Sequence, residues 1–359
     1  MSVVLMALAL AASQTAVTAK PPSAQKIAAG PRVEVAFVLD TTGSMGGLID
    51  GAKRRIWSIA RRIGEGRPRP DLRIALVAYR DIGDAYVTRT YDFTGDMDEV
   101  FGHLSEFRAE GGGDGPEHVS AAMHDAVHRL TWSTGNSLRM IVLVGDAPPH
   151  VDYQDGFDYR RHVGEARQHG IVVESIQCGQ DAQTAQVWRE IASAGAGQYA
   201  QIDGQGGMPV RVTSADAELA RLNAEMAATV VAGGSVAERR DTETKLAARR
   251  AMAAPAAAEA AGYFAARDRI AEHDLVDLPV AEQKKALPSA PAVLQGKTEA
   301  QALAYLQQQK VRREALQSRI KELSKQREQQ LAAGAPTDSF DEKVVGALKE
   351  QAQKQGIAY

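Results

Sequence analysis

The fold is decided by Val35–Met45, "VAFVLDTTGSM". An apolar run of strand character ends abruptly at Asp40, and hydroxyls follow at Thr42 and Ser44 in a glycine-containing turn. In an open parallel sheet, ligands bind beyond the carboxyl ends of the strands. A carboxylate and two hydroxyls there offer hard oxygen atoms, which suit magnesium, manganese or calcium. A simpler alternative is that Thr42 and Ser44 only cap the helix that follows.

Outward from this stretch, residues 33–39, 72–79, 138–145 and 171–177 are short Val/Ile/Leu-rich runs that read as buried strands. Residues 86–93 alternate like an antiparallel edge partner, and 197–202 form a weaker strand candidate. Amphipathic helical patterns fill 45–63, 97–107, 116–130, 158–169 and 182–194. Strands alternating with helices predict an α/β fold, a doubly wound and mostly parallel sheet with one antiparallel edge strand. A helix opening at Thr213 and Asp216, with Leu219, Leu222, Met226 and Val230 on one stripe, is expected to close it.

Two other loops end like the first. "MIVLVGD" stops at Asp146, and "EGGGDGPE" places Asp114 before a helix expected near Pro116. Where these loops meet at one edge, they supply three carboxylates and two hydroxyls, most of an octahedral oxygen shell. Asp114 with Glu117 also reads as a capping box. Asp81 and Asp84 read as a solvated turn on the same rim, and His150 and Asp152 as polar loop residues.

In this order, "DTTGS", "GGGDGPE" and "GDAPPH" resemble a von Willebrand factor A-type (VWA) domain, in its bacterial branch, over about Pro31 to Val231. The family's metal-ion-dependent adhesion site has the pattern Asp-x-Ser-x-Ser, which falls on Asp40, Thr42 and Ser44. Asp146 matches the third-loop aspartate, and Asp114 stands where the second loop usually gives a threonine. The resemblance implies a divalent ion, Mg2+ foremost with Mn2+ or Ca2+ as alternatives, held by Asp40, Thr42, Ser44, Asp114 and Asp146. It further implies that a partner protein completes the coordination shell with an Asp or Glu, in adhesion or assembly. A third carboxylate at Asp114 would make the ion a weaker electrophile, so Asp114→Thr is expected to raise affinity for such a partner.

Competing chemistries are weaker. A haloacid-dehalogenase-type phosphotransferase needs an acid two residues after its Asp, where Thr42 stands. The "GGGDGP" loop lacks the Lys and Ser/Thr of a phosphate cradle. His124 and His128 have the i, i+4 spacing of a zinc pair, but Asp125 is a short base and no third ligand is evident in sequence. Cys178, the single cysteine, ends an apolar strand and reads as packed; it excludes an internal disulfide. A binding module is therefore expected rather than an enzyme, with a scaffold holding a purely structural metal as the alternative and a metal-dependent hydrolase further behind. The net charge of −3 provides no field for nucleic acid, and the stripe Arg54, Arg55, Arg61 and Arg62 reads as a solvated face.

The organisation expected is a signal peptide at 1–19, a linker at 20–30, the VWA domain at 31–232, an Ala/Pro-rich helical linker at 233–299 and a C-terminal helical region at 300–359. The apolar run at the start is too short to span a membrane and ends in Val17-Thr18-Ala19, a small-x-small cleavage pattern. Export to a periplasm or the outside follows, with no membrane span in the mature chain. Leu316, Ile320 and Leu323 mark one side of a polar C-terminal helix whose two heptads at most are short for an autonomous coiled coil.

Overall fold

The computed structural model describes residues 30–113, 115–332 and 338–359, so the expected leader at 1–19 lies outside the described residues. Six strands form one sheet: β1 (Arg32–Asp40), β2 (Asp71–Tyr79), β3 (Thr88–Thr94), β4 (Ser137–Gly145), β5 (Ile171–Cys178) and β6 (Ala196–Ile202). Their spatial order is β3-β2-β1-β4-β5-β6. All pairings are parallel except β2 with β3. The order reverses between β1 and β4, which makes their carboxyl ends the switch point of a doubly wound sheet.

Alternation along each strand sends side chains to two cores. Val33, Val35, Phe37 and Leu39 of β1 face one; Ala36 and Val38 face the other. Helices α1 (Gly46–Gly64) and α2 (Met97–Glu106) cover the first face. Helices α3 (Val119–His128), α4 (Tyr159–Gln168) and α5 (Ala182–Ala194) cover the second. Every strand and helix expected between 33 and 202 forms, within about two residues at most ends; the clearest exception is α3, which begins at Val119 and not near Pro116.

The first face is completed from far away in the chain. The expected closing helix, α6 (Asp216–Ala227), buries Leu219, Leu222 and Met226 in the main core and packs against α7 (Val236–Ala251), α8 (Ala254–Ala265) and α10 (Glu299–Ala332). The element against the sheet is α11 (Phe340–Lys354), which lies on α1 and on β4, β5 and β6. Its Phe340, Val344, Val345, Leu348 and Ala352 are buried in the main core. Each such large apolar side chain contributes about 1.5–3 kcal/mol on burial. Residues 233–299, read as a linker, fold into α7, α8, α9 (Val280–Ala286) and short 3₁₀ turns, with a small core of Val231, Leu275, Val276, Leu294 and Leu306.

The arginine stripe on α1 is the dock for these helices, not a solvated face. Arg55 Nη1 donates to Glu259 Oε1 at 3.0 Å, and Arg62 grips Glu342 with two bonds of 2.7 and 2.8 Å. Arg61 pairs with Glu65 and Glu328, and Arg54 Nη2 donates to the Met208 carbonyl at 3.1 Å. From α10, buried Arg327 reaches Asp216 and Glu259, both at 2.6 Å. Among the described residues, no helix is long and apolar enough to cross a membrane.

Candidate functional site

Three loops at the switch point are latched together through their backbones. After β1, Thr41 N and Oγ1 both donate to the Tyr79 carbonyl, and Thr41 Oγ1 pairs with Tyr86 Oη at 2.7 Å. The second loop joins through Gly43 N to Gly111 O and Glu110 N to Thr41 O. Buried Arg80 bonds both loops, to the carbonyls of Thr41 and Arg108. The third joins through Glu117 N to Pro148 O and His150 N to Glu117 O.

Within this frame, Asp40 is fully buried. Its Oδ1 accepts from Thr42 N at 2.9 Å and Thr42 Oγ1 at 2.7 Å. Thr42 thus makes no helix cap; its hydroxyl proton goes to Asp40, leaving the oxygen lone pairs for another ligand. Asp40 Oδ2 is buried with no hydrogen-bond partner. Burial, opposed by the Thr42 bonds and aided by the charge of Asp146, pushes the Asp40 carboxyl up to about 7. Asp146 is half-buried and Ser44 exposed. Asp114 lies outside the described residues.

Two carboxylates that sequence reasoning set aside belong to the rim. Glu117 is buried and its Oε2 has no partner. It does not cap α3, whose N-cap is His118, with Nδ1 accepting from Ala121 N. Burial, reinforced by the charges of Asp40, Asp81, Asp84 and Asp146, pushes Glu117 up to about 9. Asp81 is also buried rather than solvated: Oδ2 accepts from Tyr153 Oη at 2.7 Å and Oδ1 is unpartnered. His150, stacked on Tyr153 at 4.1 Å, brings Nε2 within 3.5 Å of Asp81 Oδ2. Half-buried Asp84 accepts from Gly112 N.

Glycine is required where the loops touch. A Cβ on Gly145 would lie 2.4 Å from Tyr79 Oη and 3.2 Å from Asp40 Oδ2. Gly111, at φ +82°, would place one 2.2 Å from Asp84 Oδ1.

A buried carboxylate oxygen without a donor is costly unless a proton or cation offsets it. Three rim residues, Asp40, Glu117 and Asp81, each carry such an oxygen, and the one on Asp40, beside the Thr42 hydroxyl, fits an oxygen-loving cation. Among the described residues, three His, Cys, Asp or Glu ligand atoms come within 4.8 Å of one another only elsewhere, at His128, His162 and Glu165. The described rim carboxylates therefore do not by themselves make a three-carboxylate cage.

The von Willebrand factor A domain family model matches residues 34–203, from β1 through β6 and all three loops. The alpha-protein kinase vwkA of Dictyostelium discoideum is 32% identical over 126 residues, 34% of this chain and 20% of that protein. The von Willebrand factor A domain-containing protein 7 of Rattus norvegicus is 40% identical over 100 residues, 27% of this chain and 10% of that protein. The matched part is thus a fifth or less of these relatives' lengths. A solved structure, proximal thread matrix protein 1 from the mussel byssus, aligns with a TM-score of 0.39 at 12% identity, over 48% of this chain and 42% of that one. The matched range coincides with the six-stranded sheet and its strand-end loops: residues 34–203 match the von Willebrand factor A domain.

Proposed function

We propose that the protein binds a partner protein through a divalent ion, Mg2+ foremost, at the rim of its VWA domain. The observation that carries this reading is the buried, donorless Asp40 Oδ2 beside a Thr42 hydroxyl whose proton is already committed. Asp40, Thr42, Ser44 and Asp146 would hold the ion, with Asp114 as a further ligand and Glu117 as an added charge on the same rim. A bound ion would offset the carboxylates and offer a coordination position to an Asp or Glu of the partner. The chain's own part is to hold the oxygens in place: Arg80 and the Gly111–Gly112 turn fix the loops, and Tyr153 and His150 wall one side.

The proposal is a binding module, not an enzyme. The Cys178 thiol is buried and raised well above its ordinary value, which suits a packed residue and not a nucleophile. Export through the expected leader at 1–19 is part of the same proposal. The test uses the full chain, because α11 is built into the domain core. A pull-down from extracellular or periplasmic material is run with Mg2+ or with EDTA, on wild type and Asp40→Asn. A partner retained only by wild type with Mg2+ supports the reading. A partner retained equally by both proteins in EDTA sinks it.

A further inference from the structure

The sequence offered His124 and His128 on α3 as an incomplete zinc pair. Helix α4 supplies what was missing. His128 Nε2 lies 2.8 Å from Glu165 Oε2, and His162 Nδ1 lies 2.9 Å from the same oxygen. The three ligand atoms are all within 4.8 Å of one another. The His124 ring adjoins both, with centroids 5.0 Å from His128 and 5.1 Å from His162. Its Nδ1 is held by Asp125 Oδ1 at 3.0 Å, the kind of carboxylate bond that fixes a ligating imidazole with its other nitrogen outward. His162 is buried, while the side chains of His128 and Glu165 are about a third exposed, so the cluster is anchored inside and open outside.

We propose that His128, His162 and Glu165 form a second metal site, for a first-row transition ion of the zinc class, with His124 or water as fourth ligand. Two imidazoles and one carboxylate are a nitrogen-rich set that such ions prefer over magnesium or calcium. The site differs from the rim in place and chemistry: it spans the outer sides of α3 and α4. Coordination replaces the two His–Glu hydrogen bonds. It also displaces Arg161 Nη2, now 3.3 Å from His162 Nε2, because with a metal on Nδ1 that nitrogen becomes a donor. Arg161 retains its bond to the Gly156 carbonyl at 2.7 Å. The site ties two helices and is not hydrolytic: Asp125, in the position of a base, is buried and its Oδ2 is taken by Thr88 Oγ1 and Arg129 Nη1.

The test is titration of untagged, EDTA-stripped full chain with Zn2+, followed by calorimetry, and with Co2+, followed by visible absorption. Wild type, His128→Gln, Glu165→Gln and Asp40→Asn are compared. The expected result is one zinc bound, with a tetrahedral cobalt spectrum, in wild type and Asp40→Asn alike. Affinity falls tenfold or more in His128→Gln and Glu165→Gln. Both substituted side chains are partly exposed, and a circular dichroism spectrum matching wild type shows that the variants fold. Zinc affinity unchanged in both, or lost only in Asp40→Asn, would overturn the site.

Discussion

The strand-end rim and the outer face of α3 and α4 gather polar side chains in opposite ways. At the rim, Asp40, Glu117 and Asp81 each bury a carboxylate oxygen that nothing in the described structure satisfies. On the helix face, His128, His162 and Glu165 already satisfy one another. A cation at the rim relieves a penalty, whereas one on the helix face must first displace hydrogen bonds each worth about 0.5–1.5 kcal/mol, or somewhat more to a charged group. Metal dependence is therefore expected to be strong at the rim and modest on the helices, and hard oxygen ions should separate from nitrogen-loving ones.

The largest expected effect sharpens this comparison by using a region that belongs to neither site. Arg327→Ala leaves buried Asp216 without its charge partner and Glu259 with Arg55 alone, and should cost about 3 kcal/mol in denaturant unfolding. Its Mg2+ response should persist if the rim acts through its own loops. Gly145→Ala comes next. Its Cβ would press on Tyr79 and Asp40, costing about 1–3 kcal/mol and weakening Mg2+ binding in calorimetry. An equivalent substitution at half-buried Gly164 on α4, where a Cβ meets nothing within 4 Å, should leave Mg2+ binding alone.

The pH response separates the regions further. Asp40 and Glu117 rise from 3.8 and 4.5 to about 7 and about 9 in the folded state. The fold then holds more protons than the unfolded chain between pH 4 and 9, so stability in EDTA should fall as pH rises through that window. The slope is at most about 1.4 kcal/mol per pH unit for each group, and excess Mg2+ should flatten or invert it. Thermal melts at pH 5, 7 and 9 check this; a stability that climbs with pH in EDTA contradicts it. The smallest effect is Glu165→Gln, which without zinc weakens two partly exposed bonds and should cost about 1 kcal/mol or less.

The sheet was legible because its parallel strands are buried on both faces and read as unbroken apolar runs. The turn at Asp40–Ser44 was legible because a strand that stops at a carboxylate has few structural excuses. Glu117 was missed because its spacing from Asp114 mimics a capping box; the start of α3 two residues later gives it a different role. Asp81 was missed because its burial depends on Tyr153, in another loop. The role of α11 was hidden by distance: its apolar spacing at Phe340, Val344 and Leu348 is plain, but nothing local says that β4 to β6 lie beneath it. The arginines of α1 looked solvated because Glu259, Glu328 and Glu342 stand far along the chain. His162 and Glu165 carry a visible i, i+3 spacing, yet only the packing of α3 on α4 brings them to His128.

The most direct test of the rim is thermal unfolding of the full chain at pH 8 in EDTA, Mg2+, Mn2+ or Ca2+, for wild type and Asp40→Asn. Mg2+ at a hundredfold its dissociation constant should stabilise wild type by about 2.7 kcal/mol. Asp40→Asn, which removes the buried charge, should show no Mg2+ response and be at least as stable as wild type in EDTA. Equal stabilisation of both proteins by Mg2+, or none in a wild-type sample that elemental analysis shows to be metal-free, would contradict a cation site at Asp40.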